Sequence, residues 1–206
     1  MQVHGIIAGI VANMYGNELN SCYNYANISA KGKVNSNIDI GGIAARNGSS
    51  LYNLYNVGNI SVTGNMNQVR IGGIGAEASL LSNCINFGTI MTSNTIIDTL
   101  FIGGISGYSY NGTISNTYNL GTIEETENEV TTKYKGLLIG RIQNTSLNDS
   151  FYKEQGEELV VGSNYNGNIE NVNVLEGMIN ILSVIGDDFK EDTNNINDGY
   201  PILTWQ

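Results

Sequence analysis

The stretch IGGISGYSYNGTISNTYNLGTI, residues 102–123, contains the pattern that recurs along most of this chain. We align the chain on the glycine of its small-Gly-Ile core. The anchors lie at intervals of 33, 31, 31 and 36 residues, at Gly9, Gly42, Gly73, Gly104 and Gly140. A second block follows each anchor, as in LYNLYNVGNI (51–60). Its last copy, LNDSFYKE at 147–154, matches only weakly. A fixed period in this range is typical of solenoids and repeat arrays.

The composition of the repeat favours β-strands over helices. It is rich in Ile, Val, Tyr and Thr, punctuated by Gly and Asn, and shows no 3.6-residue apolar stripe. We therefore predict an all-β fold, a single-stranded β-solenoid similar to a parallel β-helix, with about five coils of ~31 residues. Each coil has room for three strands and one variable loop. The predicted loops are Lys31–Asn37, Thr63–Gln68, Ser93–Thr99 and Thr126–Tyr134.

Stacking of equivalent residues predicts the direction of the side chains. Apolar columns should point inward, and paired glycines such as Gly41-Gly42 suit a corner with close backbone approach or positive φ. Four equivalent asparagines predict a hydrogen-bonded amide ladder at a corner. The apolar columns are Leu19, Leu51, Leu81, Ile114, Leu147, then Ile28, Ile60, Ile90, Ile123, and Ile43, Ile74, Ile105; the asparagines are Asn24, Asn56, Asn86, Asn119.

The phase of one pair of neighbouring columns stays open. We assign the aromatic column inward, but the adjacent column competes with it, because a corner can reverse the alternation of side chains. The aromatic column is Tyr23, Tyr55, Ile85, Tyr118, Phe151, and its competitor is Cys22, Leu54, Cys84, Thr117, Ser150.

The two cysteines occupy equivalent positions two coils apart. Coils spaced by about 4.8 Å would separate the Cα atoms of Cys22 and Cys84 by about 9.6 Å. A disulfide needs roughly 4.4–6.8 Å. We predict two free, mostly buried thiols, which carry no information on redox compartment.

The C-terminal residues differ in pattern from the repeats. We assign residues 1–155 to the repeat solenoid and 156–206 to a C-terminal cap integral to the same domain. Residues Val174 to Ile185 have a helical apolar stripe, and Ile202 to Trp205 form a short apolar strand. A solenoid needs a covered end, because an unpaired strand edge promotes aggregation. We therefore predict that this helix and strand form the cap, with Trp205 as its anchor.

The charge of the chain is unevenly distributed. Its net charge is −10; residues 1–123 hold four acids and four bases, and the remainder holds fifteen acids and five bases. This acidic surface disfavours nucleic acid as a partner. The sequence has no apolar run long enough for membrane insertion, and its start reads as the first repeat and not as a signal sequence.

Signals for catalysis, metals and cofactors are weak. The single histidine, His4, is the one candidate base for a nucleophile, and the four acids of the repeat region occupy non-equivalent positions. The acidic run 187–198 misses the EF-hand spacing and is better explained as an Asx-rich turn. We therefore predict no enzyme activity, no catalytic or metal-binding residue and no cofactor. Candidate binding residues are the tyrosines after the Gly-Ile strand, Tyr15, Tyr108 and Tyr110, which could stack on sugars or anchor a protein.

The repeat pattern GGIxG…NxYNxGxI resembles the GLUG-type repeats of bacterial surface and secreted proteins. The end, DTNNINDGYPILTWQ (192–206), looks like the segment that commonly closes such arrays. The resemblance covers residues 5–155 and 174–206. It implies an extracellular or cell-surface location in a larger multidomain protein, with any signal sequence outside these residues. It transfers no catalytic residue.

These observations lead to three functional hypotheses. The first is a non-catalytic module serving as structural spacer or adhesive surface, with a host or cell-wall glycan or protein as partner. The second is a carbohydrate-binding or carbohydrate-active β-helix module, which a cleft with two or more carboxylates and Arg or Lys would favour. The third is an accessory domain of a large secreted peptidase.

Overall fold

The computed structural model describes residues 3–156, 158–174, 182 and 187–206, and the strands in these ranges make an all-β fold. Their bounds are β1 (Val3–Ala8), β2 (Val11–Met14), β3 (Glu18–Asn24), β4 (Ile28–Gly32), β5 (Ser36–Gly41), β6 (Ala44–Asn56), β7 (Ile60–Gly72), β8 (Gly75–Asn86), β9 (Ile90–Gly103), β10 (Ser106–Tyr110), β11 (Thr113–Asn119), β12 (Ile123–Gly136), β13 (Ile139–Gln143), β14 (Ser146–Tyr152), β15 (Asn164–Tyr165), β16 (Asn168–Val174), β17 (Phe189–Lys190) and β18 (Ile202–Leu203).

Two parallel sheets form a β-solenoid of about five turns, which confirms the predicted fold class. The first sheet has the order β1-β5-β7-β9-β12, with β4 also paired to β7. In the second sheet β2 and β3 pair with β6, which pairs with β8. From β8 the second sheet continues through β10, β13 and β15 and through β11, β14 and β16. Each coil therefore contributes one stretch to each sheet, and the chain crosses between sheets at two corners.

The register confirms the predicted apolar columns. Backbone hydrogen bonds join Ile43 N to Ile74 O at 3.1 Å and Ile74 N to Ile105 O at 3.0 Å. The leucine column from Leu19 to Leu147 and the isoleucine column from Ile28 to Ile123 also pair residue by residue. Equivalent side chains thus stack in every coil, as the period predicts.

The prediction of Gly140 as the fifth anchor glycine was wrong. Gly103 pairs with Gly136, so Leu137 and not Gly140 is the equivalent of Gly104. The last interval is therefore 33 residues, and Gly140 instead follows Ile139, the partner of Ser106. A leucine can occupy this position because it is the last of the column, with no further asparagine of the ladder packed against it.

The prediction of three strands and a loop was wrong for most coils. Of the predicted loops, Thr63–Gln68 lies within β7, Ser93–Thr99 within β9 and Thr126–Tyr134 within β12. Only Lys31–Asn37 contains a break between strands, that between β4 and β5. A single left-handed residue bends each long strand without ending it; between β7 and β9 the register shifts by one residue at this bend, and between β9 and β12 it is unchanged. These residues are Gly64 (φ 94), Asn94 (φ 50) and Glu127 (φ 53).

A second set of left-handed residues decides the phase that the sequence left open. They precede the cysteine column and comprise Ser21, Asn53, Asn83, Asn116 and Asp149, with φ between 44 and 54. Each reverses the alternation, so Leu54 and Cys84 join the inner core. Tyr55, Ile85, Tyr118 and Phe151 belong to a different cluster, outside that core. The inward assignment of the aromatic column was therefore wrong.

The coil encloses two hydrophobic cores. One consists of residues of the first sheet, such as Ile40, Ile71 and Ile102. The other consists of the corner isoleucines and the inner residues of the second sheet, such as Ile74 and Leu81. The corners of the chain meet between these two cores.

The predicted asparagine ladder lies between the cores. Each amide nitrogen donates to the amide oxygen of the next coil, at 3.0 Å from Asn24 to Asn56, 2.9 Å from Asn56 to Asn86 and 2.8 Å from Asn86 to Asn119. A Cβ added at Gly42 would lie 2.5 Å from Asn56 Cγ, so close approach, and not positive φ, explains these glycines.

Both cysteines are free, as predicted. Cys22 pairs with Leu54, which pairs with Cys84, so the thiols lie two coils apart. Cys84 is fully buried, and burial raises the pKa of its thiol far above the ordinary value. Cys22 is only half-buried, because it lies in the first coil of its column.

Parallel pairing continues beyond residue 155. β16 pairs with β14 from Ser146↔Asn168 to Tyr152↔Val174, and β15 pairs with β13. The predicted helix from Val174 to Ile185 falls almost entirely on residues 175–181 and 183–186, which lie outside the described residues.

The C-terminal segment 187–206, here called the strap, lies along the side of the solenoid and not over its open end. Asn197 accepts a hydrogen bond from Tyr55 Oη at 3.0 Å and donates one to Tyr118 Oη at 3.1 Å. Trp205 stacks on Tyr23 with 6.0 Å between ring centroids. The predicted role of Trp205 as an end cap was therefore wrong: the outward aromatic column gives the strap a lateral apolar surface.

A turn around Asp192 shapes the strap. Its carboxylate accepts backbone hydrogen bonds from Ile196 at 2.7 Å, Asn197 at 2.6 Å and Gly199 at 3.1 Å. This is the Asx-rich turn that the sequence favoured over a calcium loop. Desolvation raises the pKa of Asp192, but these three hydrogen bonds outweigh it, so the pKa lies below its ordinary value of 3.8.

Replacing Gly73 by alanine should destabilise the fold by about 3 kcal/mol or more, because the new Cβ would lie 2.5 Å from Asn86 Nδ2. The matched control is Gly5→Ala, whose Cβ would meet Ile38 Cγ1 at an ordinary 3.8 Å and should change stability by less than about 1 kcal/mol. Urea unfolding followed by circular dichroism measures both. Equal midpoints would contradict the close packing of ladder and glycine.

The variant Asp192→Asn should loosen the strap at neutral pH. Because the folded-state pKa is depressed, the stabilisation by Asp192 is complete above its ordinary pKa and is lost as pH falls through the folded value. The fluorescence of the single tryptophan, Trp205, reports the contact with Tyr23. We expect red-shifted emission at pH 7 for the variant, with the difference from wild type vanishing as pH falls below the depressed folded-state pKa of Asp192. Glu191→Gln changes an exposed neighbour, and its emission should equal that of wild type. If the emission of Asp192→Asn differs from wild type by the same amount at every pH, the role assigned to the Asp192 carboxylate is refuted.

Candidate functional site

Two columns of side chains flank the Gly-Gly-Ile corner on the side away from the cores. The first sheet contributes Asp39, Arg70, Phe101 and Tyr134, which are register partners in successive coils. The second sheet contributes Arg46, Glu77, Tyr108 and Arg141, also in register. Each residue of the first column is seven positions before its counterpart in the second. We call these eight side chains the corner surface.

Side chains of the corner surface contact each other across the tight corner. Arg46 Nε lies 2.7 Å from Asp39 Oδ2, and Arg70 forms an ion pair with Glu77. In the next coil the rings of Phe101 and Tyr108 are 5.7 Å apart. In the last, the guanidinium carbon of Arg141 lies 5.2 Å from the ring centroid of Tyr134, a cation–π contact. The corner surface therefore changes from ionic to aromatic along the solenoid axis.

Asp39 is the centre of the ionic half. It is only 1% exposed, and Arg70 donates to it from Nε at 2.8 Å and from a terminal nitrogen at 3.2 Å. Arg46 Nε and His4 Nε2 also contact Oδ2, the latter at 2.8 Å. Both carboxylate oxygens are thus engaged, and the group orients two arginines.

The three tyrosines predicted from sequence lie on the same side of the corner. Tyr108 and Tyr110 are both in β10, with nearly parallel rings 6.5 Å apart. Tyr15 directly follows β2 and is 68% exposed; Tyr110 is 42% exposed. Tyr108 is less exposed and donates its hydroxyl to Gln143 Oε1 at 3.0 Å. Burial raises the pKa of Tyr108, an effect that Arg141 opposes, so the hydroxyl remains a donor.

A depression of about 330 Å³ separates Tyr15 from Tyr110. It exists because the two intervening coils carry small residues, Gly48 and Ser79, between the tyrosines of the first and fourth coils. Ser79 Oγ donates to the backbone oxygen of Tyr110 at 2.8 Å, which fixes one end. The lining residues are Tyr15, Arg46, Gly48, Arg70, Glu77 and Ser79.

The ionic network was not found from the sequence. The four acids of the repeat region occupy non-equivalent positions, but Asp39 and Arg70, of opposite charge, are register partners in successive coils. The available signal was the spacing of seven residues across each glycine pair, which joins opposite charges in Asp39/Arg46 and in Arg70/Glu77. Only the tightness of the corner makes this spacing a contact.

Within the part of the chain that the structure describes, no group of three or more His, Cys, Asp or Glu side chains could hold a metal ion. The described residues also include no helix of the length and apolarity needed to span a membrane.

No known protein family, no curated protein and no solved structure matches this chain.

The variant Asp39→Asn tests the role of the buried carboxylate. It keeps the shape of the side chain but leaves Arg70, 11% exposed, without its main counter-charge, so we expect a loss of about 3 kcal/mol in unfolding free energy. Asp98→Asn removes an exposed carboxylate and should change it by less than about 0.5 kcal/mol. Urea denaturation measures both. A similar, small effect of both variants would show that the network does not organise the corner surface.

Proposed function

We propose that this chain is a non-catalytic repeat module of a bacterial cell-surface or secreted protein, and that it presents an adhesive surface. The partner is a host or cell-wall glycan or a protein. The setting, and membership of a larger multidomain protein, rest on the resemblance of the repeats described above. The adhesive role rests on one observation: exposed tyrosines and paired charges meet around a depression on an otherwise regular solenoid.

Backbone hydrogen bonds between paired strands hold the corner surface in a fixed arrangement. Every side chain of the corner surface lies on a strand paired in register with its neighbours. A binding surface that is already ordered loses less conformational entropy when a partner binds. Rigid strands therefore favour recognition by the corner surface.

The carboxylates near the depression support binding and not hydrolysis. A glycosidase needs two carboxyl groups roughly 5–10 Å apart, with one free to transfer a proton. Here Asp39 is buried and both of its oxygens contact Arg70 or Arg46. Among the described residues, Glu77 is the carboxylate that lines the depression. Two carboxylates and two arginines do meet, but as an ion-pair network that fixes side chains.

The net charge of the chain makes some classes of partner less favourable than others. The net charge of −10 repels polyanions, so a neutral glycan or a protein surface with basic residues is favoured over nucleic acid.

Adhesion can be measured with beads coated with the purified chain. We expect them to attach to bacterial cell-wall fragments or to host-cell extracellular matrix several-fold more than beads coated with the urea-denatured, chemically blocked chain. The supernatant should contain no released sugar or peptide. Attachment equal to the control would refute adhesion, and time-dependent release of a product would show an enzyme.

A further inference from the structure

We propose that the depression between Tyr15 and Tyr110 binds an uncharged oligosaccharide. This inference rests on the adhesive function proposed above and names its ligand class. It depends on the spacing of the two tyrosines, on their exposure, and on the charge balance of the wall between them.

The spacing fits an extended chain of sugar rings. Tyr15 belongs to the first coil and Tyr110 to the fourth, so three coil steps of about 4.8 Å separate them by about 14 Å. Gly48 and Ser79 form the floor between them, and the ring of Tyr15 lies above Gly48, with Cδ1 3.0 Å from the position of an added Cβ. The depression therefore follows the solenoid axis from Tyr15, which lines it, over Gly48 and Ser79 toward Tyr110, which the register places at the next equivalent position.

The tyrosines at the two ends provide the apolar contacts. Tyr15 and Tyr110 are among the exposed large apolar residues of the chain. An aromatic ring supplies a large, flat contact area and has only two side-chain torsions to order on binding. The apolar faces of pyranose rings match such platforms, while the hydroxyl groups at the ring edges remain free for hydrogen bonds.

The wall supplies those hydrogen bonds without a net charge. Arg46, Arg70 and Glu77 line the depression, and Asp39 holds both guanidinium groups in place. Two positive and two negative groups cancel, which disfavours a charged ligand. Guanidinium donors beside a carboxylate acceptor can engage neighbouring hydroxyl groups, which both donate and accept.

The size and lining of the depression disfavour large and apolar ligands. Its volume of about 330 Å³ is at the lower end of the range for small-molecule sites, which spans roughly 300–1,000 Å³. Its polar floor and ion-pair wall would be desolvated without compensation by an apolar ligand. A short, uncharged, hydroxyl-rich chain satisfies both limits.

The test uses the complete 206-residue chain and isothermal titration calorimetry. The probes are tri- and tetrasaccharides of glucose, mannose, xylose and N-acetylglucosamine. We expect at least one to bind, and Tyr15→Ala and Tyr110→Ala each to weaken it about tenfold. Ser79→Phe should abolish binding, because a half-exposed ring there fills the floor. Because the ligand is uncharged, affinity should change less than about twofold between 50 mM and 500 mM salt.

Tyr165→Ala is the matched control. Tyr165 is also exposed; it pairs with Gln143, which pairs with Tyr110, so it lies two coils beyond Tyr110 and outside the depression. Its removal should leave affinity unchanged. Circular dichroism and urea midpoints of all variants should match wild type, since the substituted side chains are exposed or half-exposed.

The outcomes separate this proposal from the adhesive function. If beads coated with Tyr15→Ala and Tyr110→Ala attach as well as wild type, the site is wrong and adhesion stands. If no probe binds, or if Ser79→Phe binds normally, the proposal is overturned and bead attachment decides the adhesive function separately. A strong salt dependence would show a charged ligand and would equally overturn it.

Discussion

The structure depends on the close packing of a column of asparagine amides against glycine backbone. The internal amides Asn56 and Asn86 each donate both to the next amide and to a glycine oxygen two residues on, as Asn86 does to Asn119 and Gly88. Buried amides are costly unless their hydrogen bonds are complete, and the ladder completes them in each internal coil. A side chain at the facing glycine would separate the ladder from the corner, so the amide and the glycine require each other. Together they divide the coil into two cores.

This constraint also creates the candidate site. Because the glycine corner is tight, residues seven positions apart on its two sides contact each other. In the early coils these are ion pairs, and in the later coils they are aromatic and cation–π contacts. The backbone sets the same geometry in every coil, while the side chains differ. A regular scaffold with an irregular surface is well suited to recognition, since the scaffold supplies rigidity and local substitutions supply the site.

The left-handed residues have a similar, large consequence. By reversing the side-chain alternation, Asn53 and its equivalents turn the aromatic column away from the core. An apolar column facing water would be unfavourable, and the strap covers it with Phe189, Leu203 and Trp205. The same residues thus place the C-terminal segment along the solenoid and bring its last residues back beside the first coil.

The fold class, the apolar columns, the asparagine ladder and the separation of the cysteines could all be predicted from the residues alone. All of these follow from one physical fact: residues one period apart stack, so identical side chains share one environment. The sequence also led to the prediction of Tyr15, Tyr108 and Tyr110 as binding residues, of which Tyr15 and Tyr110 are exposed in the structure. Only the tertiary structure decided the direction of the aromatic column, the continuity of the long strands, the lateral position of the strap and the network around Asp39. Each of these depends on the angle at which the chain bends at one residue, and periodicity carries no information about that angle.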